Sequence, residues 1–319
     1  MTQPLYKNRL AIVIATKDRP SQLRSVLTCI KGQSVQPQQV IVVDGGDEPI
    51  EAVTEEFTGL PISYIIVRPP GLTKQKNSGV SATHLDIDLI GFIDDDMVLE
   101  YGALAAMLDF WENAPEEMGG AGFNLPDFEN TNSWIKSMPQ RLFFIDNHDF
   151  GRVHRSGFNT TIWNADDDTQ VQWLGGGYTI WRKKIFQHLQ FDEWFTGSGL
   201  WEDVRFSHQV GKNYQLAVVA KAKAAHVDTP ITNDRQFLLG KTQIINWIYF
   251  VKNDPDLWLL MCIWACLGRT GINFFKGLLR LNRGYILRSL GNFSGLFSGV
   301  FGGASGQRKN QPDQIQTRS

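Results

Sequence analysis

The chain has 319 residues, 42% of them hydrophobic and 20% charged, a composition that excludes a disordered or fibrous protein. Its net charge of −2 hides an asymmetry: from Gly268 onward eight Lys or Arg stand against the single acid Asp313, a net +7 that leaves −9 for the rest. An acidic body argues against a nucleic-acid binder, and a basic, apolar tail suits an anionic membrane surface.

The opening residues are polar and lead straight into a strand with no signal-peptide pattern, so a cytoplasmic location is expected. Leu10 to Ala15 reads as a buried strand, after which Asp18 caps a helix that holds Pro20 in its first turn and runs to about Gly32. Val40 to Val43 is a second strand, ending in Asp44-Gly45-Gly46-Asp47. A helix over 48–57 and a strand over 62–67 follow. After the turn Arg68 to Gly71, a helix over 73–83 leads to the apolar run Leu89 to Ile93, which ends in Asp94-Asp95-Asp96. A helix over 101–113 comes next. The alternation of strand and helix predicts an α/β fold with a Rossmann-like, mostly parallel sheet, which binds ligands at the carboxyl ends of its strands. Alternation along a strand predicts that Asp94 and Asp96 share a face, where oxygen ligands suit Mg2+ or Mn2+.

From 119 to 170 the pattern weakens into loops and short strands, and the second triplet, Asp166 to Asp168, reads as a solvated loop. Val171 to Leu174 and Tyr178 to Trp181 read as strand segments joined by Gly175-Gly176-Gly177. A helical stretch over 182–189 follows them. A loop rich in glycine and aromatics ends at Trp201, Glu202-Asp203 opens a helix to about Gly211, and Leu216 to Ala220 is a last strand with His226 beyond it.

The ordered set of Thr16 to Arg19, Asp44, Lys76-Asn77-x-Gly79, Asp94-x-Asp96, Glu202-Asp203 and His226 resembles an inverting family 2 glycosyltransferase of the GT-A fold, of bacterial cell-surface polysaccharide type. The likeness covers about the first 230 residues. It implies that Thr16, Arg19 and Asp44 hold the nucleotide of a nucleotide-sugar donor, with Lys76 and Asn77 near the ribose and diphosphate. Asp94 is then a donor contact with Asp95 beside it, and Asp96 the metal ligand. His226 is a second ligand or a phosphate contact. Asp203, next to Glu202, becomes the base that takes the proton of an acceptor hydroxyl, while Gly176 lies in an acceptor-side loop. Trp201, near that loop, is a candidate for stacking on a sugar ring, with packing in the core as the other reading. Other readings of the same residues are a sugar nucleotidyltransferase, against which the lack of glycine in Ala15 to Pro20 speaks, and a non-catalytic membrane-bound scaffold on the same fold.

Three cysteines, Cys29, Cys262 and Cys266, give neither a disulfide framework nor a zinc pattern. Leu257 to Leu267 is too short to span a bilayer. Beyond it, Arg269, Lys276, Arg280 and Arg283 fall on one side of a helical wheel, opposite Phe274, Leu278, Leu281 and Tyr285. This pattern predicts a helical extension over 231–306 that lies on the inner face of the cell membrane, with packing on the catalytic domain or on a second subunit as the competing reading. Gly291 to Gly306 reads as a loop contacting lipid and 307–319 as a disordered tail. A hydroxyl acceptor on a lipid-linked saccharide fits this arrangement.

Overall fold

The computed structural model describes residues 6–126, 134–145, 149–227 and 232–302. The chain divides into two units: residues 1–134, 147–153 and 159–230 form the first, and 135–146, 154–158 and 231–319 the second.

The first unit is an α/β sheet. Strands β1 (Leu10–Thr16), β2 (Gln39–Asp44), β3 (Ile62–Ile66) and β4 (Leu89–Ile93) alternate with helices α1 (Pro20–Lys31), α2 (Glu51–Glu55) and α3 (Leu72–Ser81). They lie parallel in the order β3-β2-β1-β4. β2 is buried at every residue, as a run of branched aliphatics covered on both faces must be. In α1 the residues Leu23, Val26, Leu27 and Ile30 form the buried stripe at helical spacing. α3 lies close on the sheet because Gly79 has no Cβ; one there would collide with Val13.

Then come β5 (Met97–Leu99), α4 (Ala103–Asn113), β6 (Met118–Asn124), β7 (Thr169–Val171), β8 (Tyr178–Arg182), α6 (Glu202–Gly211) and β9 (Gln215–His226), with α5 (Trp134–Leu142), which falls almost wholly in the second unit, between β6 and β7 in the chain. β8 is antiparallel to both β4 and β6, β6 is parallel to β9, and β5 and β7 each pair antiparallel with β9.

Several expectations are corrected. Asp18 does not cap α1: it adopts a left-handed φ of 55°, and its carboxylate accepts from the Asp47 amide at 2.9 Å. Arg19 holds the cap position without a side-chain bond, and Pro20 starts the helix. The stretch read as loops and short strands opens on β6, seven residues long and fully buried, whose glycines face large neighbours; a Cβ on Gly120 would lie 2.5 Å from the Trp181 ring. The helix expected over 182–189 is a 3-10 turn at Lys183–Gln187. β9 runs six residues past Ala220, because Ala222 and Ala224 face inward while Lys221 and Lys223 face out.

The second unit contains α7 (Asn233–Lys252), α8 (Leu259–Leu279) and α9 (Arg283–Phe301). The loop expected from Gly291 is helix as far as Phe301. Its Gly291, Gly295 and Gly299 recur at i+4 and face α7: a Cβ on Gly291 would collide with the Phe237 carbonyl oxygen, and one on Gly295 would lie 2.5 Å from that of Lys241. This is the small-residue ridge that lets helix backbones touch. Asn282 caps α9, its Oδ1 accepting from the Gly284 amide at 2.9 Å. Asn246 and Asn292 are fully buried, whereas Phe275, Leu279, Phe293 and Phe297 are exposed. No helix among the described residues is long and apolar enough to cross a membrane. The expected tail over 307–319 lies outside the described residues.

Candidate active site

The site begins where β4 ends. The ladder stops at Ile93, and Met97 N donates to the Asp94 carbonyl at 3.1 Å, so the three aspartates sit in a turn. Strand alternation therefore does not govern them, and the expected shared face of Asp94 and Asp96 gives way to a fan with three sets of neighbours. Asp95 is buried and accepts from Thr16 Oγ1 at 2.8 Å and from Arg19 Nη1 at 3.0 Å. It ties the end of β1 to the end of β4. Asp96 stands 3.5 Å from Arg19 Nη1 on one side and 3.6 Å from His226 Nε2 on the other. The β5–β9 ladder sets that second distance, since it pairs Met97 with His226 and brings the Val227 amide to the Asp96 carbonyl at 2.9 Å.

Asp94 belongs to a second cluster. The inward face of α3 delivers Lys76, whose side chain is buried and whose Nζ donates to Glu202 Oε1 at 2.5 Å and to the Gly176 carbonyl at 2.8 Å. It also lies 5.0 Å from the centre of the Phe191 ring. Asp203 neighbours Glu202 in the first turn of α6, where carboxylates complement the helix dipole. The glycine run brings backbone into this crowd: a Cβ on Gly176 would lie 2.7 Å from Glu202 Oε1 and 2.8 Å from Lys76 Nζ, and one on Gly177 would collide with the Asp94 carboxylate. In return Gly177 O accepts from the Asp94 amide at 2.8 Å.

One ammonium among three enclosed acids shapes the electrostatics. Burial pushes Asp94 up to about 6 and Glu202 up to about 7, with Lys76 opposing both and the neighbouring carboxylates adding to both shifts. Burial raises Asp203 as well, against the pull of Lys76 and the amides of Val204 and Gly176. Burial disfavours the Lys76 charge, yet Glu202, Asp94 and Asp203 hold its pKa above the ordinary value. Glu202 Oε2 is enclosed with no hydrogen-bond partner among the described residues. The Tyr178 phenol is buried beside Asp203 and Asp94 and is pushed well up.

The remaining sequence candidates fall into place differently. Asp44 is fully buried with both oxygens engaged, Oδ1 by the Gly46 amide at 2.7 Å and Oδ2 by the Tyr64 hydroxyl and the Ile50 amide, so it organises the turn after β2. Asn77 clamps the aromatic loop: its Nδ2 donates to Phe191 O at 2.9 Å and its Oδ1 accepts from Phe191 N at 3.0 Å. Trp201 is buried, at a left-handed φ of 76°, where it starts α6. Gln75, which sequence reasoning missed, donates from Nε2 to Thr16 O at 2.9 Å and Val43 O at 2.8 Å, locking the ends of β1 and β2 together. A polar residue next to Lys76 on the inward face of the helical wheel is the signal that marks it.

Asp96 and His226 fit a divalent cation. A carboxylate oxygen and an imidazole nitrogen 3.6 Å apart can both reach one ion at bonds of about 2.1 Å, and the pair is part-exposed, leaving room for further ligands. Arg19 shares Asp96 in the arrangement seen here.

The family model of glycosyl transferase family 2 matches residues 11–189, more than half of the chain, and includes the aspartate triplet, Lys76 and the glycine run. Among curated proteins the chain is similar to a glucosyl-dolichyl phosphate glucuronosyltransferase of Haloferax volcanii, 23% identical over 198 residues; the match covers 58% of this chain and 61% of that protein. Among solved structures it is similar to the mannosyltransferase PcManGT of Pyrobaculum calidifontis, in complex with GDP-Man and Mn2+, with a TM-score of 0.58 and 11% identity over 94% of this chain and 89% of that one. It is also similar to S. aureus TarS 1–349, with a TM-score of 0.53 and 14% identity over 92% of this chain and 81% of that one. These structures share the fold, and the family match covers Thr16, Arg19, Lys76, the aspartate triplet and the glycine run, while Glu202, Asp203 and His226 lie beyond it. The chain belongs to glycosyl transferase family 2 and has a GT-A fold.

Proposed function

We propose that the chain transfers a sugar from a nucleotide-sugar donor to a hydroxyl acceptor in a metal-assisted single displacement with inversion. The observation that carries this reading is the pairing of two clusters on one aspartate triplet: Asp96 with His226, and Asp94 with Lys76, Glu202 and Asp203. A displacement that inverts needs a cation at the leaving diphosphate and a base on the other side of the sugar ring. Asp96 and His226 would hold Mn2+ or Mg2+, which would supply positive charge beside the departing diphosphate. Arg19 adds a cation on the same side.

Asp203 is the base. Burial raises its pKa, which makes it a stronger proton acceptor than an exposed aspartate, and Lys76 opposes that shift by favouring the carboxylate. Asp94 orients the donor sugar, and Gly176 and Gly177 bring main-chain groups close to the reacting atoms. Thr16, through Asp95, fixes the triplet.

The acceptor in this reading is a lipid-linked saccharide of a cell-surface polysaccharide pathway, met at the inner face of the membrane. The name of the Haloferax relative, which acts on a glucosyl-dolichyl phosphate, supports a lipid-linked acceptor. The exposed Phe275, Leu279, Phe293 and Phe297 support contact with lipid, because large apolar side chains on the outside of a helical unit with buried asparagines suit an apolar surrounding.

Calorimetric titration of UDP, GDP, dTDP and CDP with and without Mn2+ identifies the donor class, and Asp203→Asn then tests the mechanism. That variant is expected to bind the donor like the wild type and to lose transfer; full transfer rejects the base role. Metal-dependent donor binding by the wild type, without turnover of any donor, favours the scaffold reading.

A further inference from the structure

The second unit holds two largely buried guanidinium groups and gives them no acid among the described residues. Arg269 of α8 and Arg288 of α9 stand at one level of the helical hairpin, marked by the Ser289 hydroxyl, which donates to the Thr270 carbonyl at 2.9 Å. Arg288 makes only neutral bonds among the described residues, from Nη1 to Gln236 Oε1 at 3.4 Å and from Nη2 to Gln243 Oε1 at 3.2 Å, both on α7. Arg269 Nε is enclosed and has no hydrogen-bond partner among the described residues. The charges acting on Arg269 are those of Arg288 and Cys266, and the one acting on Arg288 is Tyr285; no described carboxylate is among them. Burial, reinforced by Arg288, lowers Arg269 to about 10.

Two enclosed cations that repel each other are costly unless an anion joins them. As whole residues Arg269 and Arg288 are part-buried and not sealed, which leaves an anion a way to them. A guanidinium fork matches the oxygens of a phosphate, and two forks suit its double charge better than a single carboxylate. The same helices turn Phe275, Leu279, Leu290 and Phe297 outward, a surface on which an apolar chain attached to that phosphate can lie.

We infer that Arg269 and Arg288 form a binding site for a phosphate group, separate from the nucleotide-sugar site. It belongs to the second unit alone and stands whether or not the transfer reading holds. The phosphate can come from an anionic lipid or from free solution, and the two sources differ only in the apolar surface they use.

The test is thermal unfolding of the full chain, without divalent metal and at constant ionic strength, against inorganic phosphate, dihexanoyl phosphatidic acid and dihexanoylglycerol. A ligand that binds only the folded chain raises its midpoint. The phosphatidic acid is expected to raise the midpoint in the wild type and in Asp96→Ala, whose donor site is disabled, and not in Arg269→Leu or Arg288→Leu. Arg269→Leu, relieved of an uncompensated charge, is expected to melt no lower than the wild type when no phosphate is present. Arg269→Lys keeps the charge without the fork and is expected to bind about tenfold or more weakly. A rise with inorganic phosphate too shows that the phosphate alone suffices; a rise with phosphatidic acid only shows that the attached chain contributes. The site is overturned if neither phosphate ligand shifts the midpoint, if the leucine variants respond like the wild type, or if dihexanoylglycerol acts as strongly as phosphatidic acid.

Discussion

Lys76 and Glu202 form an ion pair at 2.5 Å with side chains only 1% and 3% exposed, at the centre of the site. Removing one partner of such a pair leaves the other buried and uncompensated, which costs about 3–5 kcal/mol. Lys76→Met is therefore expected to lower the urea midpoint of unfolding by a corresponding amount. Lys76→Met combined with Glu202→Gln is expected to recover a good part of it. A single variant as stable as the wild type contradicts the pairing.

The raised pKa of Glu202 makes stability depend on pH in a definite direction. Between its ordinary value of 4.5 and about 7 the folded chain keeps a proton that the unfolded chain has released. The folded state binds more protons there, so its stability falls as pH rises through this window and levels off above it. Glu202→Gln is expected to flatten that slope, although it weakens the fold at every pH by taking the carboxylate from Lys76. Equilibrium unfolding at closely spaced pH values measures both effects, and an unchanged slope removes Glu202 as its source.

Asp96→Ala and His226→Ala separate metal from fold. Each is expected to weaken Mn2+-dependent binding of the nucleoside diphosphate. Asp96→Ala is expected to cut transfer by on the order of 100-fold or more, since a cation at a developing diphosphate contributes several kcal/mol. Both variants should retain the wild-type circular dichroism spectrum. Donor binding by Asp96→Ala with unaltered manganese dependence excludes it as a ligand.

Gly177→Ala tests the close approach at the triplet. A methyl group there collides with the Asp94 carboxylate, which must shift because the loop is held to the Asp94 amide. A fall in kcat of at least about tenfold is expected with donor affinity less affected, since small displacements at reacting groups act mainly on rate. Steady-state kinetics decide the matter.

Phe275→Glu combined with Phe297→Glu places two charges on the exposed apolar faces of α8 and α9. The double variant is expected to lose flotation with anionic vesicles while keeping turnover of a soluble acceptor. Flotation equal to that of the wild type rejects lipid contact by these faces.

Strands β1, β2 and β4 are legible in the sequence because they are covered on both faces and so are written as unbroken apolar runs. β6 is not, although it is buried at all seven residues: three of its residues are glycine, whose value is the room it gives Trp181 and Tyr214 and not its own hydropathy. The same property hides α9, where glycine at i+4 spacing looks like a loop until the facing helix is known. At the site, residue types announce the acids and Lys76, but not the division of labour. Asn77 and Asp44 carry polar groups suited to a nucleotide, yet these are engaged within the fold, and only the partner loops from distant parts of the chain reveal it. The fan of the three aspartates depends on where the ladder stops, which is a property of the neighbouring strands.

The twelve-residue run of β9 has a bearing on which sequence changes the chain can survive. His226 owes its place beside Asp96 to counting along an alternating strand, not to any loop that could be re-closed around it. Loss or gain of one residue among Lys221 to Ala225 would turn the imidazole to the opposite side of the sheet and bring Val227 or Ala225, respectively, to its post. Substitutions at the outward Lys221 and Lys223 leave that count intact, whereas a one-residue insertion or deletion strikes the metal pair from several positions away without altering either member.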